Sequence, residues 1–258
     1  MQTPTVRFLL PALRKEADVL STFLRNEKGG WDKRAFIFGR HPYLRERLEG
    51  VSSLNEVWRT CFEYARSFRR THAEEFRAAL ETNERGWRPI EREFLSTLRE
   101  HFEVDFPPHV RTMRAYVSLV PVYPRWLDTW SFNVSYFRPE RVREIACHEI
   151  VHFLWFRKWK EVFPDSTMAM YNSPHLVWRL SEILDPVILN EHPVFRMYFD
   201  NAQTTYKHFQ EIRLNGVRPT TYFARIYRSH LRAGAPFADF LKAVHAEGKR
   251  FEREIMAA

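Results

Sequence analysis

Ile145-Ala146-Cys147-His148-Glu149-Ile150-Val151-His152-Phe153-Leu154 reads as a buried helix carrying three polar side chains in a fixed pattern. Val142, Ile145, Ala146, Ile150, Phe153, Leu154 and Phe156 supply its apolar support, while Pro139 suits a first helical position and Glu140 a first turn. Four residues of helix advance about 6 Å and return to the same face. His148 and His152 can therefore grip one zinc ion from one side through neutral imidazole nitrogens. Glu149, beside them, is placed to act as general base toward a water activated by the ion. The alternative is a structural helix whose histidines are hydrogen-bonded within the core.

A catalytic zinc ordinarily takes three protein ligands and leaves a fourth position open. A histidine six residues past His152 would complete the metzincin pattern, but Lys158 stands there, and Trp155 occupies the place of that pattern's glycine. Glu182 is the candidate third ligand. It lies in Leu180-Ser181-Glu182-Ile183-Leu184-Asp185, on a stretch that also carries Leu176, Val177 and Trp178, and a carboxylate in such apolar company needs a partner. An exposed Arg179–Glu182 pair is the competing account. Ser173 and Pro174 suit the N-cap and first position of this helix, and Asp185-Pro186 should end or kink it.

The chain has 258 residues, ample for a sizeable core in one domain or two lobes. Its 22 Phe and 8 Trp against only 8 Gly argue against a disordered or loop-dominated protein. The net charge of +8 comes from basic residues spread along the whole sequence. The densest knot, Arg66, Arg69 and Arg70, reads as a solvated helix face, which argues against nucleic acid as a partner. Two cysteines, Cys61 and Cys147, make no disulfide framework. Phe8-Leu9-Leu10-Pro11-Ala12-Leu13 is too short for a secretory apolar core, and no run approaches a membrane span, so a cytoplasmic location is expected.

Apolar residues recur at helical steps in Leu54, Val57, Cys61, Tyr64 and Phe68 and again in Phe94, Leu95, Leu98 and Phe102, so residues 12–103 read mostly as helices. Gly29-Gly30, Gly50 and Gly86 punctuate them. Past Phe106-Pro107-Pro108 the pattern changes: residues 113–120 read as a strand with Ala115, Val117 and Leu119 on one side. Residues 131–137 read as a half-buried strand in which Phe132, Val134 and Tyr136 alternate with Ser131, Asn133 and Ser135, and residues 121–130 as a loop. From Val194 to Ile255 helical spacing returns, with breaks at Gly216, Pro219 and Gly234-Ala235-Pro236. The division expected is a helical region over 1–104 and a catalytic region with C-terminal helices over 105–258, the two possibly forming one compact domain.

With these residues in order, the stretch from about Tyr116 to Leu189 resembles the gluzincin metallopeptidases of the thermolysin-like clan, in which a strand edge, an H-E-x-x-H helix and a second, Glu-bearing helix follow one another. The resemblance implies an α+β, mainly α, zincin-like fold: a small antiparallel or mixed sheet packed on the two helices, with helical N- and C-terminal regions. It implies Zn2+ held by His148, His152 and Glu182, Glu149 as base, and Asp185 as an acid that orients a ligand imidazole. Gluzincins stabilise the oxyanion with a His or Tyr, which makes His175 and Tyr171 candidates. It also implies that the strand over 131–137 rims the cleft with an exposed edge to which an extended peptide could add.

The expectation is a zinc metallopeptidase acting on a peptide or protein substrate. Two rivals stay open: a zincin-fold scaffold that binds metal without hydrolysis, and a basic helical nucleic-acid binder with an accidental motif. Bound metal separates the last from the other two.

Overall fold

The alternating stretches assemble into a four-stranded mixed sheet. The computed structural model describes residues 3–25 and 33–257, so the break expected at Gly29-Gly30 lies outside the described residues. Strand β1 (Thr5–Leu9) precedes six helices: α1 (Leu13–Arg25), α2 (Lys33–Arg40), α3 (Pro42–Leu48), α4 (Leu54–Thr71), α5 (Ala73–Trp87) and α6 (Glu91–Phe102). Then come β2 (Thr112–Ser118), β3 (Arg125–Trp126) and β4 (Ser131–Ser135). The remaining helices are α7 (Val142–Val162), α8 (Leu176–Glu191), α9 (Lys207–Glu211), α10 (Pro219–Ala233), α11 (Phe237–Arg250) and α12 (Glu252–Met256). The protein is therefore α+β and mainly helical. Among the described residues no helix is long and apolar enough to cross a membrane.

The chain divides into two compact units. One holds Thr5–Pro89 and Thr112–Ala146, the other Ile90–Arg111 and the chain from Cys147 onward.

In the first unit the sheet order is β1-β2-β4-β3, with β1, β2 and β4 parallel and β3 antiparallel to β4. Phe8, Ala115 and Phe132 are register neighbours, so a small side chain sits between two large rings, and Met113, Val117 and Val134 continue the same apolar surface. Two expectations are overturned here. β4 lies inside the sheet, between β2 and β3, and is not its edge strand. It is also buried at all five positions, so this strand within a mixed sheet is covered on both faces. The hydroxyl of Ser135 accepts the amide of Arg138 at 2.9 Å, and the hydroxyls of Ser131 and Thr129 pair at 2.8 Å. β1 and β3 had no counterpart in the sequence reading.

Past the end of β2 the backbone of Leu119 is held by side chains from the helices. Glu16 accepts its N–H at 2.9 Å and the Ser118 hydroxyl at 3.1 Å, with Arg69 at 3.4 Å from the same carboxylate. His41 donates from Nε2 to the Leu119 carbonyl at 2.9 Å and accepts the Tyr64 hydroxyl at Nδ1 at 2.6 Å. Of the arginine knot, Arg69 is thus structural, also reaching the Pro11 carbonyl, and Arg66 pairs with Glu63. Gly86 stands one residue before the end of α5, where punctuation was expected. It sits within α5, where a Cβ would come within 2.7 Å of Val142 Cγ1, so the position serves a close approach.

In the second unit α6 buries Phe94, Leu95, Leu98 and Phe102, the four residues whose spacing marked it. The breaks expected near Gly216, Pro219 and Gly234 fall between helices: Pro219 is the first residue of α10 and Gly234 its left-handed cap. The helix with Glu182 begins at Leu176, with His175 rather than Ser173 as N-cap, and runs through Pro186 to Glu191 instead of ending there. On α11, a Cβ at Gly248 would meet Leu180 Cδ1 at 2.7 Å, and the bare glycine lets α11 close on α8.

One buried and two half-buried histidines carry a stability consequence. Burial pushes His41 down to about 4 and His192 to about 4; His101, whose Nε2 pairs with Tyr227 Oη at 2.6 Å, is pushed to about 3 by burial and by its neighbours His192 and His230. Each stays neutral in the fold but takes a proton near its ordinary 6.5 once unfolded. Below that value the unfolded chain binds more protons, so stability falls with pH. The melting temperature should drop steadily from pH 6.5 to pH 4, and His101→Gln should make the decline shallower. A flat profile over that range would contradict the neutral assignment.

Candidate metal centre

The centre is built by α7 and α8 within the second unit. From Ile145 to Phe156 every residue of α7 except His148 is buried, which explains why its apolar residues surround the polar triplet instead of forming one stripe. On α8, Leu176 to Leu189 is buried but for Trp178, and Glu182 and Asp185 are each only 2% exposed. The competing account, an exposed Arg179–Glu182 pair, is therefore set aside. The Arg179 guanidinium donates to the carbonyls of Pro174 and Ile255, at 3.0 Å each, and ties the C-terminal helix to α8.

His148, His152 and Glu182 converge. The two Nε2 atoms face each other at 3.1 Å; Glu182 Oε2 lies 3.3 Å from Nε2 of His148, and Glu182 Oε1 lies 3.5 Å from Nε2 of His152. One ligand atom from each residue falls within 4.8 Å of the others, and the group can hold a metal ion. Asp185 Oδ2 stands 2.6 Å from His148 Nδ1 and accepts its N–H, so that the neutral imidazole would present the lone pair of Nε2 to the cluster. Glu149 Oε1 is 3.9 Å from His148 Nε2, beside the ligand set. Three carboxylates thus meet two imidazoles, an arrangement that calls for a cation. Burial alone would lower the His148 pKa, but the Asp185, Glu182 and Glu149 carboxylates outweigh it and hold the imidazole well above its ordinary value. Its side chain is 27% exposed, against 0% for His152 and 2% for Glu182, so access from solvent runs past His148.

The other two sequence candidates stand apart from this cluster. His175 is exposed at the N-cap of α8, two turns from Glu182. Tyr171 is buried, its phenol pushed up by burial, and its ring stacks on Phe156 at 4.6 Å. Phe156 in turn lies parallel to His152, with ring centroids 5.7 Å apart. Sequence reasoning treated Phe156 only as apolar support, yet its position four residues after His152 was the available signal. Lys158, at the metzincin position, turns away and donates to the Glu103 carbonyl at 3.0 Å.

No family model matches the chain, and neither a characterised protein nor a solved structure is significantly similar to it.

Removing a ligand should act differently from removing a bystander. Glu182→Ala should weaken metal binding by orders of magnitude and Asp185→Asn by about 10–100-fold, while His175→Ala leaves it unchanged. Metal content after dialysis, measured by elemental analysis, checks this; a Glu182→Ala protein that retains wild-type affinity would remove Glu182 from the ligand set.

Proposed function

We propose that the protein is a zinc-dependent metallopeptidase in which His148, His152 and Glu182 hold the ion and Glu149 is the general base. The observation that carries this reading is the spacing of the three donor atoms. Zinc held by nitrogen and oxygen at about 2.0–2.1 Å in a tetrahedron sets its ligands about 3.3–3.4 Å apart. Here the two Nε2 atoms are 3.1 Å apart, the Glu182 carboxylate reaches His148 through Oε2 at 3.3 Å and His152 through Oε1 at 3.5 Å, and one donor atom from each residue lies within 4.8 Å of the others. Two imidazoles and one carboxylate with no thiolate suit zinc in a catalytic rather than a structural role, because three protein ligands leave a position open.

When bound, the ion supplies a Lewis acid that lowers the pKa of water in its open position and polarises a carbonyl. The chain's residues do the rest. Asp185 keeps His148 in the tautomer that presents Nε2. Glu149, whose side chain is 5% exposed, takes a proton from the attacking water at its carboxylate and returns it to the leaving nitrogen as the amide bond breaks. His175, open to solvent, is the better placed of the two oxyanion candidates to meet a substrate; the Tyr171 ring is engaged with Phe156. The resemblance of the H-E-x-x-H and Glu-bearing helices to the gluzincins supports peptide hydrolysis as the reaction.

Glu149→Gln keeps size and shape but cannot accept the proton, so zinc content should stay at about one per chain while hydrolysis of a peptide library falls at least ~100-fold. Chelation should abolish wild-type turnover and added zinc restore it. Loss of zinc in Glu149→Gln would make Glu149 a ligand, and full activity in that variant would place the chemistry elsewhere. Within an active enzyme, His175→Ala should lower kcat more than Tyr171→Phe does; the reverse order would transfer the oxyanion role to Tyr171.

A further inference from the structure

A proline inside a helix lacks the amide hydrogen for the carbonyl four residues back, and its ring crowds that same carbonyl. In α8 the proline is Pro186, and the carbonyl is that of Glu182. The preceding residue, Asp185, is also steered away from helical geometry by the proline ring. The turn that delivers both carboxylates of the metal centre is thus the least favourable turn of its helix.

Thr205 lies at this point. Its side-chain hydroxyl donates to the Glu182 carbonyl at 2.8 Å, and the residue is buried. The segment that brings it there is fastened on both sides. On α8, Asn190 accepts the Gln203 N–H at 2.7 Å and donates to the Gln203 carbonyl at 2.9 Å. On α9, Gln210 donates to the Thr205 carbonyl at 2.7 Å.

We propose that Thr205 is a positioning residue for the metal centre. Its hydroxyl takes the place of the N–H that Pro186 lacks and so fixes the turn from Glu182 to Asp185. Two side chains depend on that turn: the carboxylate that faces both imidazoles, and the one that sets the His148 tautomer. The inference rests on the metal-centre reading above and adds a residue 20 positions beyond Asp185 that touches neither ion nor substrate.

The test combines zinc titration against a chromophoric chelator with thermal unfolding of the chelated protein. Thr205→Val should weaken zinc binding about 10-fold or more and lower the melting temperature, and Thr205→Ser, which restores the hydroxyl, should recover both. Pro186→Ala supplies the missing amide hydrogen, so in that background Thr205→Val should change neither quantity. Val244→Ala, a cavity in α11, should lower the melting temperature while leaving zinc affinity intact, which separates positioning from general destabilisation. Equal losses from Thr205→Val in both backgrounds would overturn the proposal, as would a Thr205→Val protein with wild-type zinc affinity. A wild-type protein that binds no zinc would instead overturn the metal reading, and with it the part of Thr205 in placing ligands. Coupling between positions 186 and 205 in the chelated protein would still report the exchange of hydroxyl for amide.

Discussion

Two carboxylates buried in a mainly apolar helix set the terms for everything around them. An ionised group taken out of water is tolerated only with a partner of opposite charge or strong hydrogen bonds. Glu182 and Asp185, one turn apart on α8, meet that requirement through the imidazoles of α7. The pairing explains why α7 is buried nearly all round yet carries two histidines and a glutamate, and why the exposed member of the group is an imidazole rather than a carboxylate. Removing either helix's polar residues alone would strand the other's charge.

The same economy of polar groups recurs away from the centre. Beyond β2, Glu16 and His41 take up the N–H and C=O of Leu119. In α8, Thr205 takes up the carbonyl facing Pro186. In both places regular backbone pairing ends or is interrupted at a buried point, and a buried side chain completes it. These side chains are the joints of the fold, and each is distant in sequence from the group it serves.

That distance decides what could be read from the chain. The H-E-x-x-H helix, the burial of α6 and the isolation of Glu182 among apolar neighbours follow from local periodicity, which a sequence displays directly. β1 does not: five residues acquire strand character by parallel pairing with a partner more than a hundred residues away, and parallel pairing leaves no turn signal. For β4, alternation suggested a half-exposed strand. Position in the sheet overrode it, because the serines and Asn133 are covered as fully as Phe132 and Val134. The helix continues through Pro186 rather than ending there for a related reason. Proline marks a helix end when nothing compensates for the lost donor, and the compensation here comes from a residue that no local window contains. At the centre itself, the convergence of His148, His152 and Glu182 was legible because these residues are few, polar and set in apolar surroundings, whereas the stacking of Phe156 on His152 required the fold.

The threonine hydroxyl at the proline also bears on descent. A helix with Pro186 and no hydroxyl at 205 has a defect beside its ligands, while a helix with an ordinary residue at 186 has no use for that hydroxyl. The dependence therefore runs one way, from the proline to the hydroxyl. Lineages derived from this chain can lose the proline first and the hydroxyl afterwards, but not in the reverse order without a weakened intermediate, so a proline at 186 without a hydroxyl at 205 should be rare.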